Sequence, residues 1–448
     1  MLILAGPRFN ILGEGTLSVT SENARLLKAG LFDGDPDVPW QAGSLVTPQR
    51  ITLDGNLAQN TNWSFETAGT GGQPFAMWTK LETGTGSVTR VAGGGGNPTP
   101  INGSWECKLS KAAQGDAAAV MIDFLVRSGS YVSLPIFAYD MTVKGVLRIQ
   151  NLETGNFLQN ALPQGQLWAP AVSDYYFGGA AEQWNFDGFH DDDPLTGDLR
   201  AGPPILIEPV TKTKRFITRI RILMGFPAGV PSATGWLDYF SIYYGASFAS
   251  LHHHTIPPGT AVTVESSPEA TTWTTRGTFA MASLAQPECY LSFTHRDARF
   301  WRFSLAAFTP HGAAPAFLAT PAIGEAVLGQ ALAVQGTWRT ADLGYEMGQA
   351  RMGESDRYRQ ALQAGEAPRI VLERTDPGAL SFPEALNQIF RPSLGGVRPA
   401  VVAWDESDPT AVIYGFVDAK FGGKRDIHRA GIPHQLAVNG FAPPLWTP

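Results

Sequence analysis

Charge is scarce in this chain. Only 16 % of its 448 residues are Asp, Glu, Lys or Arg, against roughly 25 % in an ordinary globular protein. Its 33 basic residues are outnumbered by 40 acidic ones, giving a formal net charge of −7. A nucleic-acid binder needs a basic face for phosphates. No such block stands out, so no nucleic-acid partner is expected. Cysteine is nearly absent. Cys107 and Cys289 form no CxxC pair, which excludes a disulfide framework and a cysteine zinc site. No window approaches about 18 uninterrupted apolar residues, so no membrane insertion is expected. The opening MLILAGPRFN breaks at Pro7 and lacks a basic start. It is too short for a secretory core, which predicts synthesis in a cytoplasm without Sec export. Catalytic signatures are missing too: no GxSxG elbow, HExxH, P-loop or Rossmann fingerprint. No catalytic residue is assigned.

What is present points to β structure. Apolar residues make up 44 % of the chain, enough for real cores, with 49 Gly, 33 Pro and 11 % aromatics. That mixture suits strands joined by tight turns. In RFITRIRILMGF, Phe216, Thr218, Ile220 and Ile222 share one face, and Arg215, Ile217, Arg219 and Arg221 the other. Period two marks a half-buried strand. GTAVTVESS reads alike, as does RFWRFSLAAF with Trp301, Phe303 and Leu305 on one side. Helical periodicity is confined to SENARLLKAG, DRYRQALQAG at 356–365 and FPEALNQIF at 382–390. Glycine-rich stretches begin near Gly69 and recur at Gly93–Gly96. A long irregular loop is expected from Pro170 to Pro204, and an Ala/Pro-rich link from Phe308 to Gly324. After that link the pattern turns to mixed α and β.

Three motifs in order resemble carbohydrate-binding-module jelly rolls. NLAQNTNWSFETAGTGGQPFAMW supplies Asn62, Phe65, Glu66, Pro74 and Trp78 and is similar to the family's first strand. NGSWECKLS and GWLDYFSIYYG are similar to a middle and a closing strand. The resemblance implies a jelly roll over 55–246. It also implies a structural calcium shared by Glu66 and Asp238, since calcium takes hard oxygen ligands. No other cofactor is implied. Glycan recognition would need exposed aromatic faces among polar groups. The long loop offers Tyr175, Tyr176, Trp184, Phe186 and Phe189; the alternative is that these rings fold inward to pin the loop or pack on a partner.

The flanking sequence resembles a discoidin-like domain split in two. NARLLKAGLFDGDPDVPWQAGS lies before the jelly roll, and RDARFWRFSLAAF and PAIGEAVLG after it. The resemblance implies a β-sandwich of 1–54 with 247–332, the jelly roll inserted at a turn, and a small α+β C-terminal domain at 333–448. That order is similar to virion structural proteins at the tail tip or baseplate of tailed bacteriophages. It implies a non-enzymatic virion component, present in multiple copies, docked on other tail or baseplate proteins, released by lysis, and able to touch host-surface polysaccharide. A bacterial glycan-binding protein or accessory module is the alternative, and a polysaccharide-degrading enzyme with an unrecognised site is the third reading.

Four further clusters were weighed by their chemistry. DGDPD, Asp33–Asp37, starts like an EF-hand, but Val38 and Ser44 replace the required Gly and Glu, so it reads as a turn. FHDDDP, with His190, Asp191, Asp192 and Asp193, reads as a solvated acidic turn, with a divalent metal as the alternative. Lys212, Lys214, Arg215, Arg219 and Arg221 read as the wet face of a strand, or as a binder of anionic polymer. His252, His253 and His254 run into the turn IPPG. Side chains alternate along a strand, so His252 and His254 should share a face and His253 point away. A zinc cage is then a poor fit; strand-end histidines bonding the turn or meeting a neighbouring subunit are expected.

Overall fold

The computed structural model describes the chain apart from 6–9, 44–47, 58–64, 160–167, 178–183, 190–204, 209–216, 282–287, 307–319, 335–338, 348–365, 377–398, 422–431, 441–448 and scattered short gaps. The chain divides into two compact units, Met1–Gly55 with Ala246–Pro448, and Asn56–Gly245. Among the described residues both are built of antiparallel sheets, and no helix is long and apolar enough to cross a membrane. The protein is mainly β. The helix expected in SENARLLKAG is reduced to a 3-10 turn, Lys28–Leu31. Its Gly30 packs so closely on the Val38 carbonyl that an added Cβ would lie 2.1 Å from that oxygen. The helices expected at 356–365 and 382–390 lie outside the described residues.

The unit Asn56–Gly245 holds two seven-stranded sheets. One centres on Gly145–Asn151, Ile217–Phe226 and Ala117–Arg127, paired in that order. The other centres on Tyr131–Tyr139, Ala233–Phe240 and Trp105–Lys111. Their inner faces meet through Phe124, stacked on Phe240 at 5.6 Å, while Trp78 meets Phe240 edge-on at the same separation. Such aromatic contacts add to the area they bury. Of the segment expected as the first strand, residues 58–64 lie outside the described residues, and 65–78 are a turn-rich stretch: Phe65 has φ 60, and a strand begins at Thr79. Phe65, Phe75 and Trp78 still enter the core. The loop expected to be irregular contains two strands, Tyr175–Phe177 and Trp184–Phe189.

The other unit holds sheets of five, four and seven strands. The five-stranded sheet carries Gln49–Asp54, Phe300–Leu305 and Val262–Ser267, with Trp301, Phe303 and Leu305 inward as their spacing predicts. The four-stranded sheet centres on Ala246–His254 and Ala322–Gly329. One of its faces meets the five-stranded sheet through Phe293 and Trp301. The other meets the seven-stranded sheet through Phe248, Tyr290, Val327, Val401, Val412 and Tyr414. A middle layer has no wet side, so all of Ala322–Gly329 is buried. The seven-stranded sheet joins Leu2–Ala5 to Leu332–Val334 and Ala400–Ala403. The segment expected as a separate α+β domain therefore shares its sheet with the N-terminal strand, and its described elements are strands.

Candidate functional site

The outer face of the first jelly-roll sheet follows from its register. Ile149, Ile222 and Ile122 lie in one inward row, so their strand neighbours point outward. Gln150, Arg221 and Asp123 form one outward row. Arg148, Leu223 and Met121 form the next, and Tyr176 sits beside Val146 one row further on. Arg221 forks onto Asp123 with bonds of 2.8 and 3.0 Å. Arg148 forks in the same way onto Asp174. Cross-strand pairs of this kind fix long side chains in place. Tyr176 is 63 % exposed and Leu125 65 %. The face thus sets two forked charged pairs among Met121, Leu223 and Leu125 and is bordered by an open ring.

The five aromatic residues of the long loop divide. Tyr175 turns inward, and its hydroxyl donates to the Gln159 carbonyl at 2.7 Å. Burial pushes that phenol up to about 12. Tyr176 turns outward. Trp184, Phe186 and Phe189 lie on an edge strand opposite Tyr139, Phe137 and Leu134. Lys212, Lys214, Arg215 and the FHDDDP turn lie outside the described residues, as do Asp35 and Asp37 of DGDPD.

A buried acidic pair lies in the other jelly-roll sheet. Leu237 stands opposite Cys107, so Asp238 and Glu106 come alongside one step further on. Both are wholly buried. The Ile101 N–H donates to Asp238 Oδ2, whereas neither Glu106 oxygen has a hydrogen-bond partner. Burial, reinforced by the Asp238 charge and opposed by Lys108, pushes the Glu106 carboxyl up to about 8. Glu66 engages a loop through one of its carboxylate oxygens. Its Oε1 accepts the N–H groups of Ser104 and Trp105, each at 2.9 Å. Gly103 makes that clasp possible, since a Cβ there would lie 2.3 Å from the Glu66 carboxyl. Of the expected calcium pair, Asp238 thus stands by an unsatisfied carboxylate, and Glu66 holds a loop. The donor chemistry fits a hard cation. Among the described residues, no three His, Cys, Asp or Glu are grouped so as to hold a metal by themselves, so carbonyls or waters would complete such a shell. Sequence reasoning missed Glu106, which alternates with Cys107 and Leu109 as a solvent-facing residue would.

The histidines occupy the middle sheet of the other unit, and all three are buried. The seven-stranded sheet covers His252 through Tyr414. The expected alternation fails. His252 pairs with Glu325 and His254 with Ile323 in unbroken register, but His253 takes φ 49, a left-handed torsion rare outside glycine. With that torsion, His252 Nδ1 and His253 Nε2 each lie 3.7 Å from the Glu288 carboxylate. His252 also meets the Ser250 hydroxyl at 2.8 Å and stacks on Tyr414 at 4.9 Å. His254 Nδ1 accepts the Ile256 N–H at 3.2 Å, the expected bond to the turn. Burial presses His252 down to about 3 and His253 and His254 to about 4. Burial pushes Glu288 up to about 7, against His253 and the Tyr414 N–H. The imidazoles are therefore uncharged at neutral pH, and these contacts are not ion pairs.

No family model matches the chain, and no curated protein matches it. Among solved structures, the enzymatically active domain of tailspike protein 4 from bacteriophage CBA120 is 16 % identical, covering 42 % of this chain and 21 % of its own, at a TM-score of 0.25. Most of the tailspike thus has no counterpart here. A xylan-binding CBM22-1 domain from Paenibacillus barcinonensis is 11 % identical, over 40 % of this chain and 88 % of its own, with a TM-score of 0.22. A putative sugar binding protein from Bacteroides thetaiotaomicron is 10 % identical, over 41 % and 97 %, with a TM-score of 0.26. At such TM-scores the overlaps assign no function.

Proposed function

We propose that the chain is a non-enzymatic virion protein of a tailed phage, seated at the tail tip or baseplate, whose jelly-roll unit contacts host-surface glycan. The observation that carries the glycan reading is the outer face bearing Arg148–Asp174, Arg221–Asp123 and Tyr176. Each forked pair offers a donor beside an acceptor, the pattern a vicinal diol needs, and Tyr176 offers a ring for the sugar's apolar face. The phage assignment is supported by the order of its sequence motifs. A structural calcium in the jelly roll completes the reading.

Affinity electrophoresis through host polysaccharide tests the face. Retardation of the full chain should be lost in the double variant Arg148→Ala, Tyr176→Ala while its melting temperature holds; retardation that survives would reject the assigned face. Reducing ends released by the intact protein, and lost on carboxylate substitution, would make it an enzyme instead. Density fractionation of a lysate separates the phage reading from a bacterial binding module: the chain should sediment with virions.

A further inference from the structure

We infer that the glycan taken by the outer jelly-roll face is acidic, a uronate-bearing oligosaccharide, and that Arg219 receives its carboxylate. The inference rests on the reading that this face contacts glycan.

The charges of the face decide the class. Arg148 and Arg221 are each forked onto an aspartate, Asp174 and Asp123. Those pairs are neutral as units and suit the hydroxyl groups of a sugar. Arg219 differs. It stands two residues before Arg221 on the same strand, so it points to the same outward side. It is exposed, and no carboxylate among the described residues pairs with it. Its neighbours across the sheet are apolar. Leu125 lies directly opposite and is 65 % exposed. On the other side Leu152 donates its N–H to the Arg219 carbonyl at 2.8 Å. Arg127, the next outward residue after Leu125, is drawn away over the Tyr244 ring, 5.6 Å from its centre. Arg219 is thus a lone positive charge in an apolar frame at one end of the face. A guanidinium grips a carboxylate through two parallel hydrogen bonds. Apolar surroundings strengthen that attraction over its value in open water. A neutral sugar leaves the charge to water. A uronate uses it, and the apolar side of its ring can rest on Leu125.

Spacing sets the size of the ligand. Outward side chains recur every second residue, roughly 6.6 Å apart. Tyr176 lies in the Val146 row, and Arg219 three rows further along. They mark the ends of a track roughly 20 Å long, crossed between them by the two neutral pairs. Such a track takes an oligosaccharide rather than one sugar. The chain as a whole, at −7, repels a polyanion at long range. Capture of an acidic glycan therefore has to come from a local group, and Arg219 is placed to supply it.

The test is affinity electrophoresis of the full chain through surface polysaccharide of the host, native or carboxyl-reduced. Carbodiimide activation and borohydride turn each uronate into a neutral primary alcohol. Arg219→Gln is compared with Arg50→Gln, which removes an exposed charge from the other unit. Wild type should bind the native polymer roughly tenfold or more tighter than the reduced one, the worth of one charge-assisted pair. Arg219→Gln should bind both forms alike, at the wild-type affinity for the reduced polymer. Arg219→Lys should regain part of the preference, and Arg50→Gln should match wild type. Melting temperatures should hold throughout, since both arginines are exposed. Equal retardation of wild type by both forms overturns the inference and leaves the glycan reading, as does a native-polymer preference that survives in Arg219→Gln. A loss as large in Arg50→Gln reduces the effect to net charge and overturns the role of Arg219. No retardation by either form overturns both readings.

Discussion

Trp105–Lys111 and Ala246–His254 each carry ionisable side chains into an interior, and they neutralise them in opposite ways. The histidine strand needs nothing from outside. An imidazole that sheds its proton is already neutral, and Glu288 between His252 and His253 is held near its own neutral form by burial. The carboxylate strand does it by gaining a proton: burial and the Asp238 charge push Glu106 up to about 8, although neither of its oxygens has a hydrogen-bond partner. The first arrangement is a closed structural seam between two sheets. The second is a buried acidic pair that holds a proton at neutral pH and faces like-charge repulsion only above about pH 8. Burial alone therefore does not mark a functional site; what distinguishes one is whether the cluster balances itself.

The two clusters should answer pH with opposite signs, and the histidine effect is the larger. Depressed imidazoles stay unprotonated in the folded state while the unfolded chain takes up three protons below about 6.5. Raised Glu288 holds one proton in the fold that the unfolded chain has lost above about 4.5. The unfolded state thus binds more protons between those values, so stability of this unit should rise with pH there, by on the order of 2–3 kcal/mol per pH unit. Thermal unfolding of the wild type against Glu288→Gln with all three histidines replaced by Gln would break the comparison if both slopes were flat.

Core deletions come next. Trp301→Ala in the sandwich and Trp78→Ala in the jelly roll each remove a fully buried indole and should cost about 3–5 kcal/mol. Hydrogen exchange should show the loss on the strands each ring touches. Smaller again is the acidic pair. Glu106, raised in the fold, holds a proton that the unfolded chain releases from about pH 4.5 upward. Without calcium, stability of the jelly roll should fall by on the order of 1 kcal/mol per pH unit as pH climbs from there to about 8; added calcium should flatten that slope in a melt series. Least affected should be Arg148→Ala, which opens a partly buried pair on the outer face worth about 1 kcal/mol and should shift unfolding little while weakening sugar retention.

The sequence made the two-sided strands legible. The outward Arg219 and Arg221 and the inward Ile220 and Ile222 follow from period two, as do Trp301, Phe303 and Leu305. It failed where a strand has no wet side: ASFASLHHH and AIGEAVLG lie between two sheets, and nothing local says that a second layer covers His252. It failed again at single backbone torsions, since the left-handed turn at His253 is what lets two adjacent histidines reach one carboxylate. In the candidate site, Tyr176 and Asp238 were visible, but the forked arginine pairs and the partner of Asp238 depend on register between segments far apart in the chain.

Hydrogen exchange resolved by strand, in chelator, at pH 4.5 and 6.5 and corrected for intrinsic rates, puts the contrast to its most direct trial. Protection should increase with pH on Ala246–His254 and Ala322–Gly329 and decrease on Trp105–Lys111 and Ala233–Phe240. Strands of both units moving in the same direction would contradict the account.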